Sequence, residues 1–186
     1  MYLVNQMHQL GDALEAAGYT SGDLTMLCSS VSRLRELKDV LAGRSQIVVV
    51  KHVIDCDADP LVPNGWTVEK HVKGGQMEWD PARVRLYLSE SQWNNKAIRG
   101  NQLREELRGK LTYNANLLDY LLAHPELIPE EWKRRLVFFW GTIYCYPDSY
   151  LVVRYLYWSG GRWRWHFRWL DGGFGDFYHT AVPASS

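Results

Sequence analysis

Strict alternation of aromatic and basic residues between positions 162 and 169 is the strongest constraint that this sequence places on its fold. The segment reads Arg-Trp-Arg-Trp-His-Phe-Arg-Trp. Successive side chains of a β-strand point to opposite faces of the sheet. The segment therefore predicts a strand that carries its aromatic side chains on one face and its arginines and histidine on the other.

The two-residue period extends back to Leu136 and predicts an antiparallel meander. Its three strands are expected at 136–144, 150–158 and 162–169. Turn sequences, Tyr-Pro-Asp-Ser at 146–149 and Ser-Gly-Gly at 159–161, separate them. The C-terminal part of the chain is therefore predicted to be a sheet.

Apolar residues at helical spacing precede the meander. They predict three short helices within 1–44 and two more at about 101–108 and 114–123. The β-branched run at 46–51 is the best single strand prediction in the chain, and 66–72 is another. Residues 80–92 carry both a helix-start signal and an alternating pattern, and we interpret 83–88 as a strand.

These elements together predict an α+β fold. It would consist of short N-terminal helices, a mixed core and a C-terminal antiparallel β-meander packed against two helices. The expected organisation is a helical segment at 1–44, an α+β domain at 45–180 and a flexible tail at 181–186. The large side chains expected in the core are Trp140, Leu156, Trp163, Trp165 and Trp169.

Basic charge is concentrated near the C-terminus of a chain whose formal net charge is zero. Residues 133–170 hold seven Lys and Arg and one acid, Asp148, a local balance of 7 − 1 = +6. Sixteen of the 25 aromatic residues lie within 138–178. Because the whole chain is neutral, no overall field gathers nucleic acid or anionic membrane, so any polyanion would have to bind this region.

The basic face of the last predicted strand is the candidate ligand-binding site. Its residues are Arg154, Tyr157, Arg162, Arg164, His166 and Arg168. A non-enzymatic binding or interaction module is the first functional hypothesis, with a protein or a polyanion such as single-stranded nucleic acid as partner and no cofactor. The alternative is an ordinary solvated sheet face. Salt bridges from nearby glutamates would favour that alternative, and the candidates are Glu105, Glu106, Glu130 and Glu131.

Three aspartates, Asp55, Asp57 and Asp59, form a second candidate site. If the chain is extended there, the carboxylates share one face and suit Mg²⁺ or Ca²⁺, which prefer oxygen ligands. An EF-hand is excluded, because Pro60 and Trp66 occupy the positions that require Gly and Glu. The alternative function is thus a metal-dependent hydrolase or nuclease; its further ligands would be His52, Glu69 or His71. A solvated loop whose carboxylates cap backbone turns would also explain the pattern.

The remaining motifs argue against common enzyme classes. The chain has no GxxxxGK[ST], GxGxxG, HExxH or GxSxG sequence. Cys56 lies near His52 and His71, but no thiol-enzyme signature surrounds it.

The three cysteines, Cys28, Cys56 and Cys145, are odd in number and contain no CxxC pair. This pattern favours a reducing compartment, so we expect the protein in the cytoplasm. The longest apolar runs are a few residues, far below the roughly 20 that cross a bilayer, so no membrane segment is expected.

Several phrases of the sequence resemble a family of uncharacterised bacterial proteins. They include His52-Val-Ile-Asp-Cys-Asp-Ala-Asp-Pro60, Asn114-Ala-Asn-Leu-Leu-Asp-Tyr120 and Phe138-Phe-Trp-Gly-Thr-Ile-Tyr144. The resemblance covers roughly residues 50–180. It implies no activity, and it favours reading that stretch as one recurring unit.

Overall fold

The computed structural model describes residues 4–48 and 50–184 and confirms the α+β fold. The chain divides after Val50 into two compact units, six residues beyond the predicted boundary at 44/45. The first unit contains the three expected helices: α1 (Val4–Ala16), α2 (Ser21–Cys28) and α3 (Val31–Leu41). Thr20 and Asp23 form a capping box at the start of α2, in which each side chain accepts a hydrogen bond from the other residue's backbone N–H.

The predicted strand at 46–51 was wrong for the residues described there. Residues 46–48, Val50 and Lys51 lie outside any strand, and Val49 lies outside the described residues. Ile47, Val48 and Val50 are exposed. β-branched residues favour a strand only where the chain has a neighbouring strand to pair with, and this run lies at the division between the two units.

The second unit contains the remaining helices and all the described strands. The helices are α4 (Gly100–Glu106) and α5 (Ala115–Ala123). The strands are β1 (Val53–Asp55), β2 (Thr67–His71), β3 (Gln76–Glu78), β4 (Val84–Tyr87), β5 (Ile98–Arg99), β6 (Leu136–Cys145), β7 (Leu151–Ser159), β8 (Arg162–Trp169), β9 (Gly173–Phe174) and β10 (Tyr178–Pro183). Short 3₁₀ helices lie at Pro81–Arg83, Glu90–Gln92, Pro125–Leu127 and Glu130–Arg134.

Both signals in the ambiguous segment 80–92 are real. Asp80 accepts a hydrogen bond from the Ala82 backbone N–H at 2.9 Å and begins one 3₁₀ turn, as the Asp-Pro pair suggests. The alternating residues that follow form β4, so the strand prediction for 83–88 is confirmed within a residue at each end.

The main sheet has the strand order β4-β10-β6-β7-β8, and β2 also pairs with β6. Only the β10–β6 pair is parallel among the described strands of this sheet. The flexible tail predicted from residue 181 was wrong for 181–183, which belong to β10 between β4 and β6. Ala181 and Val182 are buried there, because β10 is an inner strand and the layers packed on the sheet cover its side chains.

A close backbone approach at Gly141 fixes the entry to α5. The Gly141 N–H donates to the carbonyl of Tyr113 at 2.9 Å. A Cβ at this position would lie 2.8 Å from the Thr112 carbonyl oxygen, too close for any side chain. Glycine therefore lets the segment before α5 dock directly on β6.

The sheet packs against two helices, as predicted, and the structure places them on opposite faces. On one face, Leu117, Leu118 and Leu121 of α5 form a core with Phe139 and Leu156. On the other face, Leu103 of α4 and Leu107, which directly follows α4, pack around an aromatic cluster of Phe138, Trp140 and Phe174.

The prediction that five large side chains lie in the core is confirmed for Trp140 and Leu156. It was wrong for the three tryptophans of β8. Trp163 and Trp169 are partly exposed, and Trp165 is 37% exposed. β8 is the last strand of the sheet, so its side chains lack a neighbour on one side. Among the described residues, no helix combines the length and apolar character needed to cross a membrane.

Candidate functional site

The antiparallel pairing of β7 with β8 assembles a basic surface on one side of the sheet. Opposed residues in this register share a face, and Arg162, Arg164, His166 and Arg168 lie across from Ser159, Tyr157, Tyr155 and Val153. The β8 tryptophans lie across from Val152, Leu156 and Trp158, on the opposite face. We call the set of Tyr155, Tyr157, Arg162, Arg164, His166 and Arg168 the basic face. The structure thus brings together five of the six predicted binding residues.

The charged groups of the basic face are accessible to solvent. Arg162, Arg164 and His166 are exposed, and Arg168 is partly exposed. Arg164 Nε donates to the Ser159 carbonyl at 3.3 Å. Arg168 is held more firmly, because its Nε donates to the Gly173 carbonyl at 2.7 Å and its guanidinium lies 4.7 Å from the Tyr178 ring centre.

These three arginines have no carboxylate partner within residues 4–48 and 50–184. Three of the four glutamates that could have neutralised them have other partners. Glu105 pairs with Arg108 at 2.9 Å, and Glu130 pairs with Lys133 at 2.6 Å. Glu106 accepts hydrogen bonds from the hydroxyls of Ser89 and Ser91. An internal salt-bridge network therefore does not account for the basic face.

Flat rings lie among the charges. The imidazole of His166 stacks on Tyr155, with 5.9 Å between ring centres and 14° between planes. The ring centre of Tyr157 lies 5.6 Å from that of Tyr155, and Tyr157 pairs with Arg164 across the two strands. The pKa of Tyr155 is raised, mainly by burial. The neighbouring Tyr157 and Tyr178 raise it further, whereas the charge of Arg168 lowers it. The phenol of Tyr155 therefore stays neutral at physiological pH.

Arg154 does not belong to the basic face, and its predicted role as a ligand-binding residue was wrong. It lies across from Phe167 on the opposite face and is 1% exposed. Its guanidinium donates to both oxygens of Asp119 on α5, at 2.9 and 2.6 Å, and lies 4.2 Å from the Trp165 ring centre. Burial opposes its charge, but the hydrogen bonds and charge of Asp119 outweigh that, and the pKa of Arg154 is raised.

The partner of Arg154 was missed at the sequence level, although a signal for it exists. Asp119 is the only charged residue in α5, whose sequence is Ala-Asn-Leu-Leu-Asp-Tyr-Leu-Leu-Ala. Charged residues on a buried helix face are almost always paired. That signal indicates a buried cation on the sheet, but the sequence does not say which one.

The aspartate loop folds as a backbone-capping turn. Asp55 Oδ1 accepts hydrogen bonds from the N–H groups of Asp57 and Ala58 at 2.9 and 3.2 Å, and Asp57 Oδ1 accepts one from Gly75 at 2.8 Å. Asp59 is exposed. Within the described part of the chain, no group of three or more His, Cys, Asp or Glu side chains is placed to hold a metal ion. This arrangement does not support the metal-dependent hydrolase or nuclease, which stays a prediction.

The histidines near that loop are engaged separately. His52 Nδ1 lies 3.0 Å from the Tyr120 hydroxyl, and His71 Nδ1 lies 2.8 Å from the Thr142 hydroxyl. Cys56 is buried, and burial together with the charges of Asp55 and Asp57 raises the pKa of its thiol to about 11. A thiolate nucleophile is disfavoured at this position.

Comparison with family models, curated proteins and solved structures found no match to this chain. The resemblance to a family of uncharacterised bacterial proteins therefore stays a prediction. The function has to be argued from the chemistry of the chain's own residues.

Proposed function

We propose that this protein is a binding module that holds single-stranded nucleic acid on the basic face. The observation that carries the proposal is the row of arginines without carboxylate partners on the edge strand β8, beside the exposed ring of His166 and the partly exposed rings of Tyr155 and Tyr157 on β7. Unpaired guanidinium groups bind phosphates, and neighbouring rings stack on bases that are free of a duplex. This combination favours a flexible polyanion with planar groups over a simple acidic surface.

The spacing of the charges supports an extended ligand. Arg162, Arg164 and His166 follow one another at every second residue of β8. Side chains on one face of a strand are about 6.8 Å apart, so three donors lie along one line. β8 has one strand neighbour, so a ligand chain can also approach from the open side.

The neutral overall charge of the chain limits the affinity that we expect for nucleic acid. The three arginines of the basic face act only at short range, because the Debye length is about 8 Å at physiological ionic strength. We therefore expect micromolar or weaker binding that depends strongly on salt. The free thiols of Cys28, Cys56 and Cys145 fit a reducing compartment, and we place the protein in the cytoplasm.

The test measures binding of fluorescently labelled single-stranded DNA and RNA by fluorescence anisotropy, at a series of salt concentrations. The double variant Arg162→Gln/Arg164→Gln should weaken binding at low salt. It should also reduce the slope of log affinity against log salt concentration by about 1.4, roughly 0.7 for each lost phosphate contact. The matched control is Arg83→Gln/Arg85→Gln, another exposed pair two residues apart. The control should bind like the natural protein.

Two results would overturn the proposal. One is no binding to any single strand at low salt, and the other is an equal loss in the test and control variants. Binding of poly-glutamate without binding of nucleic acid would instead assign the basic face to an acidic protein.

A further inference from the structure

A second basic region lies in a cavity between β2, β6, the end of α4 and the chain that follows α4. The cavity has a volume of about 270 Å³. Four cationic side chains line it, Lys70, Arg104, Arg108 and Lys110, together with one acid, Glu105. The formal charge of the lining is 4 − 1 = +3. The cavity shares no residue with the basic face, so the two sites can be tested separately.

Trp140 in the wall of this cavity has a hydrogen-bond donor without an acceptor. The side chain is 5% exposed, and its indole Nε1 has no partner among the described residues. Buried indole N–H groups usually find an acceptor, so an unpaired one calls for an explanation. An acceptor that enters the cavity would supply it.

The cations around Trp140 are only partly neutralised. Arg104 is paired with Glu69 at 2.8 Å, and Arg108 is paired with Glu105 at 2.9 Å. Lys70 has no ion-pair partner in the described part of the chain, and Lys110 has only the ring of Tyr87, 5.3 Å away. Two ammonium groups are thus available, and the indole N–H, which neighbouring atoms cover, can donate to a ligand once the ligand displaces those atoms.

Part of the wall is apolar and is formed by Val72, Leu107 and Ile143 with the Trp140 ring. A cavity of about 150 Å³ is enough to hold a benzene ring, so this one has room for a ring and an acidic group together. We propose that the cavity binds a small organic anion. Its carboxylate or phosphate oxygens accept hydrogen bonds from Trp140 and Lys70, and its apolar body packs on the wall.

The experiment follows the indole ¹H–¹⁵N resonances of the full-length protein during titration with benzoate, phenyl phosphate, inorganic phosphate and neutral benzyl alcohol. The Trp140→Phe variant identifies the Trp140 signal by its loss. We expect benzoate or phenyl phosphate to move that signal saturably, with a smaller response to benzyl alcohol. The comparison of benzoate, phenyl phosphate and inorganic phosphate then shows which acidic group is preferred and whether the apolar body is needed.

Two lysine variants separate a specific site from general attraction of anions. Lys70→Gln should weaken binding about tenfold, the worth of one charge-assisted hydrogen bond. Lys96→Gln removes an exposed lysine outside the cavity and should leave the affinity unchanged. A Trp140 signal that responds to none of the anions, an equal response to benzyl alcohol, or equal losses in both lysine variants would overturn the proposal.

Discussion

Arg154 on β7 donates two hydrogen bonds to the carboxylate of Asp119 on α5, at 2.9 and 2.6 Å. The pair joins the helix to the sheet beneath it, at a point where the arginine is 1% exposed. Arg154 Nε has no hydrogen-bond partner among the described residues. Asp119 therefore provides most of the stabilisation of the buried guanidinium charge. The pair therefore adds a charged link between α5 and β7 to the apolar packing of the α5 leucines on the sheet.

Removal of that carboxylate should destabilise the protein strongly. We expect Asp119→Ala to lower the free energy of unfolding by about 3 kcal/mol, the low end for breaking a buried ion pair, because the Asp119 side chain is 24% exposed. Urea unfolding followed by tryptophan fluorescence measures it. Asp59→Ala, at an exposed acid, is the control and should change stability by less than about 0.5 kcal/mol. A cost for Asp119→Ala no larger than the control would show that the pair contributes nothing.

Two aromatic residues of the sheet should respond very differently to truncation. Phe138 is fully buried, and we expect Phe138→Ala to cost about 3–5 kcal/mol. Trp165 is 37% exposed and packs over the Arg154 guanidinium, so Trp165→Ala should cost about 1–2 kcal/mol. Thermal and urea unfolding of the two variants side by side test this. Equal losses would mean that the edge strand is covered in solution.

Stability should fall as the pH is lowered through the range where His179 titrates in the unfolded chain. Burial lowers the pKa of His179, and the neighbouring Arg135 lowers it further, while the Phe177 carbonyl and Asp176 oppose the shift. The unfolded chain therefore binds the proton more readily than the folded protein does. The destabilisation begins near pH 6.5, the ordinary histidine pKa, and grows until the folded-state pKa is passed.

Urea unfolding of the natural protein and of His179→Gln at pH 7.5 and pH 5.5 tests this sign. The natural protein should lose more stability on acidification than the variant. His166→Gln is the control for loss of an exposed histidine. Parallel pH profiles for the natural protein and His179→Gln would contradict the expectation.

The cysteines should differ in reactivity with iodoacetamide at pH 8. Cys28 is exposed, whereas Cys56 is buried with a thiol pKa of about 11. Peptide mapping by mass spectrometry should find Cys28 alkylated in minutes and Cys56 unmodified until urea is added. Rapid alkylation of Cys56 in the native protein would mean that the loop carrying Asp55 and Asp57 opens in solution.

The sequence by itself determined the elements whose patterns are local. Alternation at 162–169 placed the arginines and tryptophans of β8 on opposite faces, and the register confirms it. Helical spacing and cap residues predicted α1, α2 and α3, and the Tyr-Pro-Asp-Ser and Ser-Gly-Gly turns separated the strands of the meander. Each of these depends on residues a few positions apart.

Only the tertiary structure decided which pattern was buried and which charge was paired. The run at 46–51 is β-branched but forms no strand in its described residues, while 181–183 form an inner strand despite their position near the end of the chain. Arg154 and Arg164 look alike in the sequence, yet one is buried against Asp119 and the other is exposed. Burial and pairing depend on segments far apart in the chain, and a local pattern contains no information about which of those segments will meet.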